Sequence, residues 1–187
     1  MTASVLSPLG GITAWDGDVV AAFDRGEEDI LVVERPPVPG IAKTISAARV
    51  LDWGSEITGA SIEAHIPEAL DALLIANQAL ASDIVALSRS FLAQFSVEEA
   101  SLRVEVVDKQ SCPKFHRDNV RIRMVTTYHG PTTEYVPTSE LEQIQSSPLF
   151  ALVFLKGRKH PNYLDAIRHR SPEVPPGGKR LCVILDC

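Results

Sequence analysis

The chain has 187 residues and a formal net charge of −6 at pH 7, and its hydrophobic content of 45% suits a globular protein with an apolar core. An acidic chain of this kind argues against a general nucleic-acid-binding protein, which needs a basic face. The sequence shows no basic stretch followed by an apolar run and no run of 18 apolar residues, so we expect neither a signal peptide nor a membrane span. Three cysteines without a CxxC pair are typical of a reducing compartment, which predicts a cytoplasmic protein of bacterial type.

The N-terminal part of the chain has mainly helical patterns. Residues Val19–Arg25 predict a short helix, and Ile30–Glu34 predict a short strand that ends at a proline-rich segment. Apolar residues at steps of three or four then predict one long helix over Pro67–Phe95, because proline is favoured in the first turn of a helix. We therefore expect residues 1–100 to form a mainly helical portion.

After about residue 100 the apolar period changes to that of strands. The segments predicted as strands are 102–106, 122–128, 132–136, 149–155 and 180–186. Residues 138–146 are interpreted as a short helix or a loop. Helices followed by strands indicate an α+β fold or a barrel buttressed by helices. We expect a single domain over residues 1–187, with a β-rich portion at 101–187 that contains the functional site.

His116 and Asp118 form the first motif with a clear chemical meaning. On an extended backbone, residues two apart point to the same face, so one imidazole nitrogen and one carboxylate oxygen can reach one ion. A second imidazole from a distant strand would complete a set of two histidines and one carboxylate. That set leaves coordination positions open, as Fe(II) requires when it binds both oxygen and a substrate.

Three histidines are candidates for the second imidazole. His129 ends a predicted strand, His160 lies in a loop that looks solvated, and His169 precedes a turn. We favour His169 because Arg180 follows it by eleven residues, at the start of the last strand. The planar guanidinium fork pairs bidentately with a carboxylate, so Arg180 could hold the far end of a bound oxo-acid whose near end is on the metal.

These segments resemble the iron- and 2-oxoglutarate-dependent oxygenases over about residues 100–187. The segments with the resemblance are 116–118, 149–157, 167–172 and 179–181. The resemblance implies a double-stranded β-helix of the cupin type, here buttressed by the N-terminal helices. It also implies that Fe(II) and 2-oxoglutarate are the cofactors.

The same resemblance assigns roles to individual residues. It implies that His116, Asp118 and His169 are the metal ligands and that Arg180 binds a 2-oxoglutarate carboxylate. Tyr128, near the end of its strand, lies where such enzymes often place a residue that touches the cosubstrate. The substrate itself is left open.

The chain bears a closer resemblance to a bacterial family known only as a domain of unknown function. The matching segments are Cys112–Val120, Thr127–Tyr135 and His169–Pro172, and the likeness covers most of the chain. No activity follows from it.

Cys112 keeps a second class of function open. It precedes His116 by four residues, and a thiolate favours zinc. Cys112 with His116, Asp118 and His169 would make a four-ligand zinc site. The alternative function is therefore a non-catalytic zinc-binding protein linked to metal homeostasis, and a cupin-like scaffold without metal is a third. Phosphate-loop and dinucleotide-binding motifs are missing from the sequence, which argues against a nucleotide enzyme.

Overall fold

The computed structural model describes residues 2–3 and 14–187. Its helices are α1 (Gly17–Arg25), α2 (Ile41–Ile45), α3 (Ile62–Ala72) and α4 (Gln78–Gln94). Its strands are β1 (Thr2–Ala3), β2 (Ile30–Val33), β3 (Leu51–Thr58), β4 (Glu99–Val107), β5 (Ile122–His129), β6 (Glu134–Pro137), β7 (Gln145–Ser146), β8 (Leu152–Lys156), β9 (Ile167–Arg170) and β10 (Arg180–Asp186).

The strands form two sheets of unequal size. The larger sheet has the order β1-β2-β8-β5-β10-β4-β3, and its neighbours are antiparallel except for the parallel pair β1–β2. The smaller sheet, in the order β7-β6-β9, is antiparallel. The protein therefore has a mixed fold of helices and antiparallel sheets, and the strands β2 and β3 from the first 100 residues belong to the larger sheet.

The two faces of the larger sheet have different roles, because side chains alternate along a strand. On β10, Leu181, Val183 and Leu185 pack into the main core, which the helices α3 and α4 complete. Cys182 and Ile184 point to the opposite face, where a smaller apolar cluster includes Ile167 of the small sheet. A cavity lies on this second face.

The predicted long helix is divided into two in the structure. The helix α3 ends at Ala72, Leu74 adopts a positive φ of 57°, and α4 begins after Asn77. The Asn77 side chain caps α4 by accepting a hydrogen bond of 2.9 Å from the backbone N–H of Leu80. The apolar period continues across the break because both helices face the same core, and Pro67 lies inside α3 rather than at the start of a helix.

Several predicted strands match the structure, and four strands, β1, β3, β7 and β9, were not predicted. The structure contains strands at the predicted positions 102–106, 122–128 and 180–186. The strand predicted over 149–155 begins only at Leu152, since Phe150 has a φ of 66°. The edge strand β3 was missed because only one of its eight residues is buried, so it lacks a clear apolar pattern. Among the described residues no helix has the length and apolarity that a membrane crossing requires.

Candidate metal centre

His116 and His169 are brought together by their backbones. His116 lies in the connection between β4 and β5, and His169 is the third residue of β9. The His116 backbone N–H donates to the His169 carbonyl at 3.0 Å, and the His169 N–H donates back at 3.2 Å. This isolated antiparallel bridge places the two imidazole rings side by side, with centroids 4.5 Å apart.

Asp118 lies against both rings. Its Oδ1 is 3.5 Å from His116 Nε2, and its Oδ2 is 3.0 Å from His169 Nε2. One ligand atom from each of the three residues lies within 4.8 Å of the others. The sequence prediction that these three side chains meet at one point therefore describes the structure correctly.

Two of these atoms have unmet bonding capacity. Asp118 Oδ2 and His169 Nε2 are buried and lie 3.0 Å apart, but they do not meet in hydrogen-bond geometry, and neither has another polar partner among the described residues. Buried polar atoms almost always have a partner, so a pair that lacks one needs an explanation. Ligand atoms about 2.1 Å from one ion are about 3 Å apart when they subtend a right angle at it, which is close to the observed separation. The residues present therefore fit a divalent metal ion.

The protonation states also suit metal binding. His116 Nδ1 lies 3.0 Å from the Lys114 carbonyl, and a proton donated there leaves Nε2 as the free ligand atom. Burial lowers the pKa of His169, which keeps its imidazole neutral near pH 7. Burial alone would raise the pKa of Asp118, but the two adjacent imidazoles and the charge of Arg123 hold that pKa well below its usual range. The adjacent carboxylate of Asp118 raises the pKa of His116, so a metal ion competes with a proton at that ring.

His116 and His169 border a cavity of about 320 Å³ on the second face of the larger sheet. Charged residues in its wall are Arg103, Glu105, Arg123, Arg170 and Arg180. The size is sufficient for a small ligand, and four guanidinium groups in an acidic protein make this region locally basic.

Arg180 differs from the other arginines of the cavity because its partners are neutral. It is 3% exposed, and its Nη2 donates to the hydroxyls of Thr127 and Thr133 at 3.2 Å each. Its Nε donates to the Pro131 carbonyl at 3.1 Å, and its Nη1 contacts Cys182 Sγ at 3.1 Å. Within residues 14–187 no carboxylate forms a salt bridge with it. A buried charge without a counter-charge is costly, so the position suits an anionic ligand.

The backbone at Lys179 and Arg180 packs directly against the turn that contains Gly130. Gly130 has a φ of 81°, and a Cβ placed there would lie 2.4 Å from the carbonyl oxygen of Lys179. Only glycine accommodates both the conformation and the approach. This turn brings the carbonyl of Pro131 to Arg180.

Tyr128 is not brought to this cavity. Its neighbour Thr127 points to Arg180, so Tyr128 projects from the opposite face of the strand into the main core. Its hydroxyl donates to Asp83 Oδ2 at 2.5 Å, and Arg35 pairs with the same carboxylate. Tyr128 anchors helix α4 to the sheet and cannot touch a ligand beside Arg180 from this position.

Cys112 lines the cavity but does not join the three-residue cluster. Its Sγ lies 3.4 Å from His116 Nδ1, the ring nitrogen that faces away from Asp118. The thiol and the carboxylate therefore contact opposite sides of one imidazole. The geometry does not bring four ligands around a single point.

The two other candidate histidines lie outside the cluster. His160 is buried rather than solvated, with Nε2 3.0 Å from Asp24 Oδ1 and Nδ1 accepting from the backbone N–H of Asn162. Both nitrogens thus have protein partners, which explains how a loop histidine is buried at low cost. His129 ends β5 and is half-buried.

Sequence comparison adds a family but no function. A family described as "Protein of unknown function (DUF1826)" matches residues 11–186. No curated protein matches the chain.

Solved structures of low sequence identity share the fold. A rice dioxygenase for auxin oxidation is 12% identical, with a TM-score of 0.53 over 91% of this chain and 77% of that one. The Arabidopsis thaliana dioxygenase for auxin oxidation 1, solved as a complex with 2-oxoglutarate, is also 12% identical, with a TM-score of 0.51 over 92% and 88% of the two chains. At this identity the likeness concerns the arrangement of helices and antiparallel sheets, which is similar to the jelly-roll folds of these oxygenases.

Proposed function

The chain belongs to the DUF1826 family, whose description assigns no function, and we propose that it is an iron(II)- and 2-oxoglutarate-dependent oxygenase. The observation that supports this most directly is the pair of buried atoms Asp118 Oδ2 and His169 Nε2, which lie 3.0 Å apart beside His116 and have no other polar partner among the described residues. In this proposal the two sheets correspond to the double-stranded β-helix of such enzymes.

His116, Asp118 and His169 would hold the metal and leave further coordination positions open. Bound there, iron(II) supplies the chemistry in which one oxygen atom of O₂ converts 2-oxoglutarate to succinate and carbon dioxide and the other enters a substrate C–H bond. Asp118 contributes the negative charge, since its pKa is held low. His169 contributes a neutral imidazole whose Nε2 faces Asp118 and has no other polar partner among the described residues.

Arg180 would bind the carboxylate of 2-oxoglutarate that is remote from the metal. An incoming carboxylate gives this guanidinium the counter-charge that its present partners lack. The hydroxyls of Thr127 and Thr133, which now accept from Nη2, also have protons that could be donated to the carboxylate.

The proposal is tested by anaerobic titration of the metal-free protein with Fe(II), followed by 2-oxoglutarate. We expect one equivalent of iron, a visible charge-transfer band on addition of 2-oxoglutarate, and release of carbon dioxide when oxygen is admitted. Stoichiometric iron without the band or carbon dioxide would exclude the oxygenase and leave only a metal-binding protein.

The zinc-binding alternative makes a different prediction for Cys112. Because its thiol contacts the far nitrogen of His116, we expect Cys112→Ala to change the dissociation constants for Zn(II) and Fe(II) by less than about twofold. Competition with a coloured chelator measures both constants. Loss of a tightly bound zinc in this variant would favour the four-ligand zinc site over the proposed iron site.

A further inference from the structure

The two carboxylate oxygens of Asp118 have different surroundings. Oδ1 accepts a hydrogen bond of 2.5 Å from Arg123 Nη1, whereas Oδ2 is buried beside His169 without a hydrogen-bond partner among residues 14–187. The Asp118 side chain is only 8% exposed, so solvent water has little access to the carboxylate. One oxygen is thus occupied by the protein and the other is left free.

Arg123 is itself fixed by a second carboxylate. It lies directly opposite Asp186 in the register of β5 and β10. Its Nε donates to Asp186 Oδ1 at 2.7 Å and its Nη2 donates to Oδ2 at 2.6 Å, which is a bidentate pair. The remaining nitrogen, Nη1, is the one that reaches Asp118. Because the planar fork fixes all three nitrogens at once, the position of Nη1 follows from the pairing with Asp186.

We propose that Arg123 is a positioning residue that holds Asp118 through Oδ1, so that Oδ2 alone faces the metal. This inference rests on the proposed function for the presence of the ion. A carboxylate free to rotate could bind an ion through both oxygens and occupy a position that the cosubstrate or oxygen needs. Arg123 prevents that by engaging one oxygen in a charge-assisted hydrogen bond.

Simple electrostatics makes the opposite prediction for this residue. A guanidinium near a divalent cation repels it, so removal of a charge with no other role would tighten metal binding. Removal of an outer partner that orients a ligand instead weakens metal binding, typically by 10–100-fold. The direction in which metal affinity changes on removal of Arg123 therefore distinguishes a positioning residue from a cation that is merely close to the metal.

The test compares Arg123→Met with Arg103→Met, using Co(II) as the probe. Arg103 lines the same cavity, pairs with Glu105 at 2.9 Å and approaches Asp186 Oδ2 only at 3.9 Å, but it makes no bond to Asp118. We expect Arg123→Met to weaken Co(II) binding by about 10–100-fold and to change its visible absorption spectrum, because the mode of carboxylate coordination changes. The control should stay within about threefold of the wild type with the wild-type spectrum, since it leaves the ligands in place.

A second variant distinguishes loss of carboxylate positioning from loss of the fold. Arg123→Lys keeps the charge but loses the fork, so a lysine cannot hold both carboxylates in the same geometry. We expect weaker Co(II) binding and an altered spectrum here too, with circular dichroism unchanged. Unchanged or tighter binding with a wild-type spectrum in either folded variant would overturn the proposal.

The wild-type protein separates this proposal from the proposed function. A wild type that binds Co(II) but forms no charge-transfer complex with Fe(II) and 2-oxoglutarate would reject the oxygenase alone, whereas a wild type that binds no Co(II) would reject both.

Discussion

Replacement of His116 or Asp118 by alanine should abolish stoichiometric metal binding while the fold is retained. Each residue supplies one of three converging ligand atoms, and two remaining atoms cannot hold the ion in competition with water. We expect each dissociation constant to rise by more than about 100-fold, since loss of outer partners alone already costs 10–100-fold. Metal analysis after gel filtration and Fe(II) titration measure the loss.

The fold should survive these changes because neither side chain belongs to the apolar core. Arg123, which loses a partner in Asp118→Ala, keeps its bidentate pair with Asp186. His65→Ala is the matched control, because His65 lies on α3 and contacts Glu68 rather than the cluster. One equivalent of metal retained in both His116→Ala and Asp118→Ala would refute the ligand assignment.

Replacement of Arg180 by alanine should weaken 2-oxoglutarate binding without affecting the metal. Arg180 bonds to none of the three metal ligands, so their geometry does not depend on it. A hydrogen bond to a charged partner contributes about 1.5–3 kcal/mol, which corresponds to a dissociation constant about 10–150-fold higher when it is lost. Titration of the Fe(II) protein with 2-oxoglutarate, followed by the charge-transfer band, measures this constant.

Arg180→Lys serves as the companion variant. It retains a positive charge but not the planar pair of donors, so we expect an intermediate loss of 2-oxoglutarate affinity. Melting temperatures of both variants show whether the fold is intact. A dissociation constant equal to that of the wild type in folded Arg180→Ala would remove Arg180 from the cosubstrate site.

The local sequence contained enough information to find the His116–Asp118 part of the central cluster. The spacing of His116 and Asp118 puts both side chains on one side of an extended backbone, and the last strand was predicted with the bounds Arg180–Asp186 that the structure shows. Such features depend on neighbours in the chain, which a sequence displays directly.

The remaining features depend on contacts between distant segments. Because side chains alternate along β5, Tyr128 and Thr127 lie on opposite faces of the sheet. The alternation alone does not show which of the two faces is covered by the helices. The role of Arg123 depends on its register with Asp186, 63 residues away in the chain. A signal was nevertheless present, because Arg123 is a charged residue between the buried apolar residues Ile122 and Met124.

The reciprocal backbone bridge between His116 and His169 has a consequence for how new specificities could arise. Peptide groups, rather than side chains, fix the spacing of the two imidazoles. Residues such as Ser111, Val125 and Ile184 that line the cavity can then be exchanged without moving the main-chain atoms that set that spacing. The fold thereby separates the candidate metal centre, whose spacing the main chain sets, from a cavity wall whose side chains can vary.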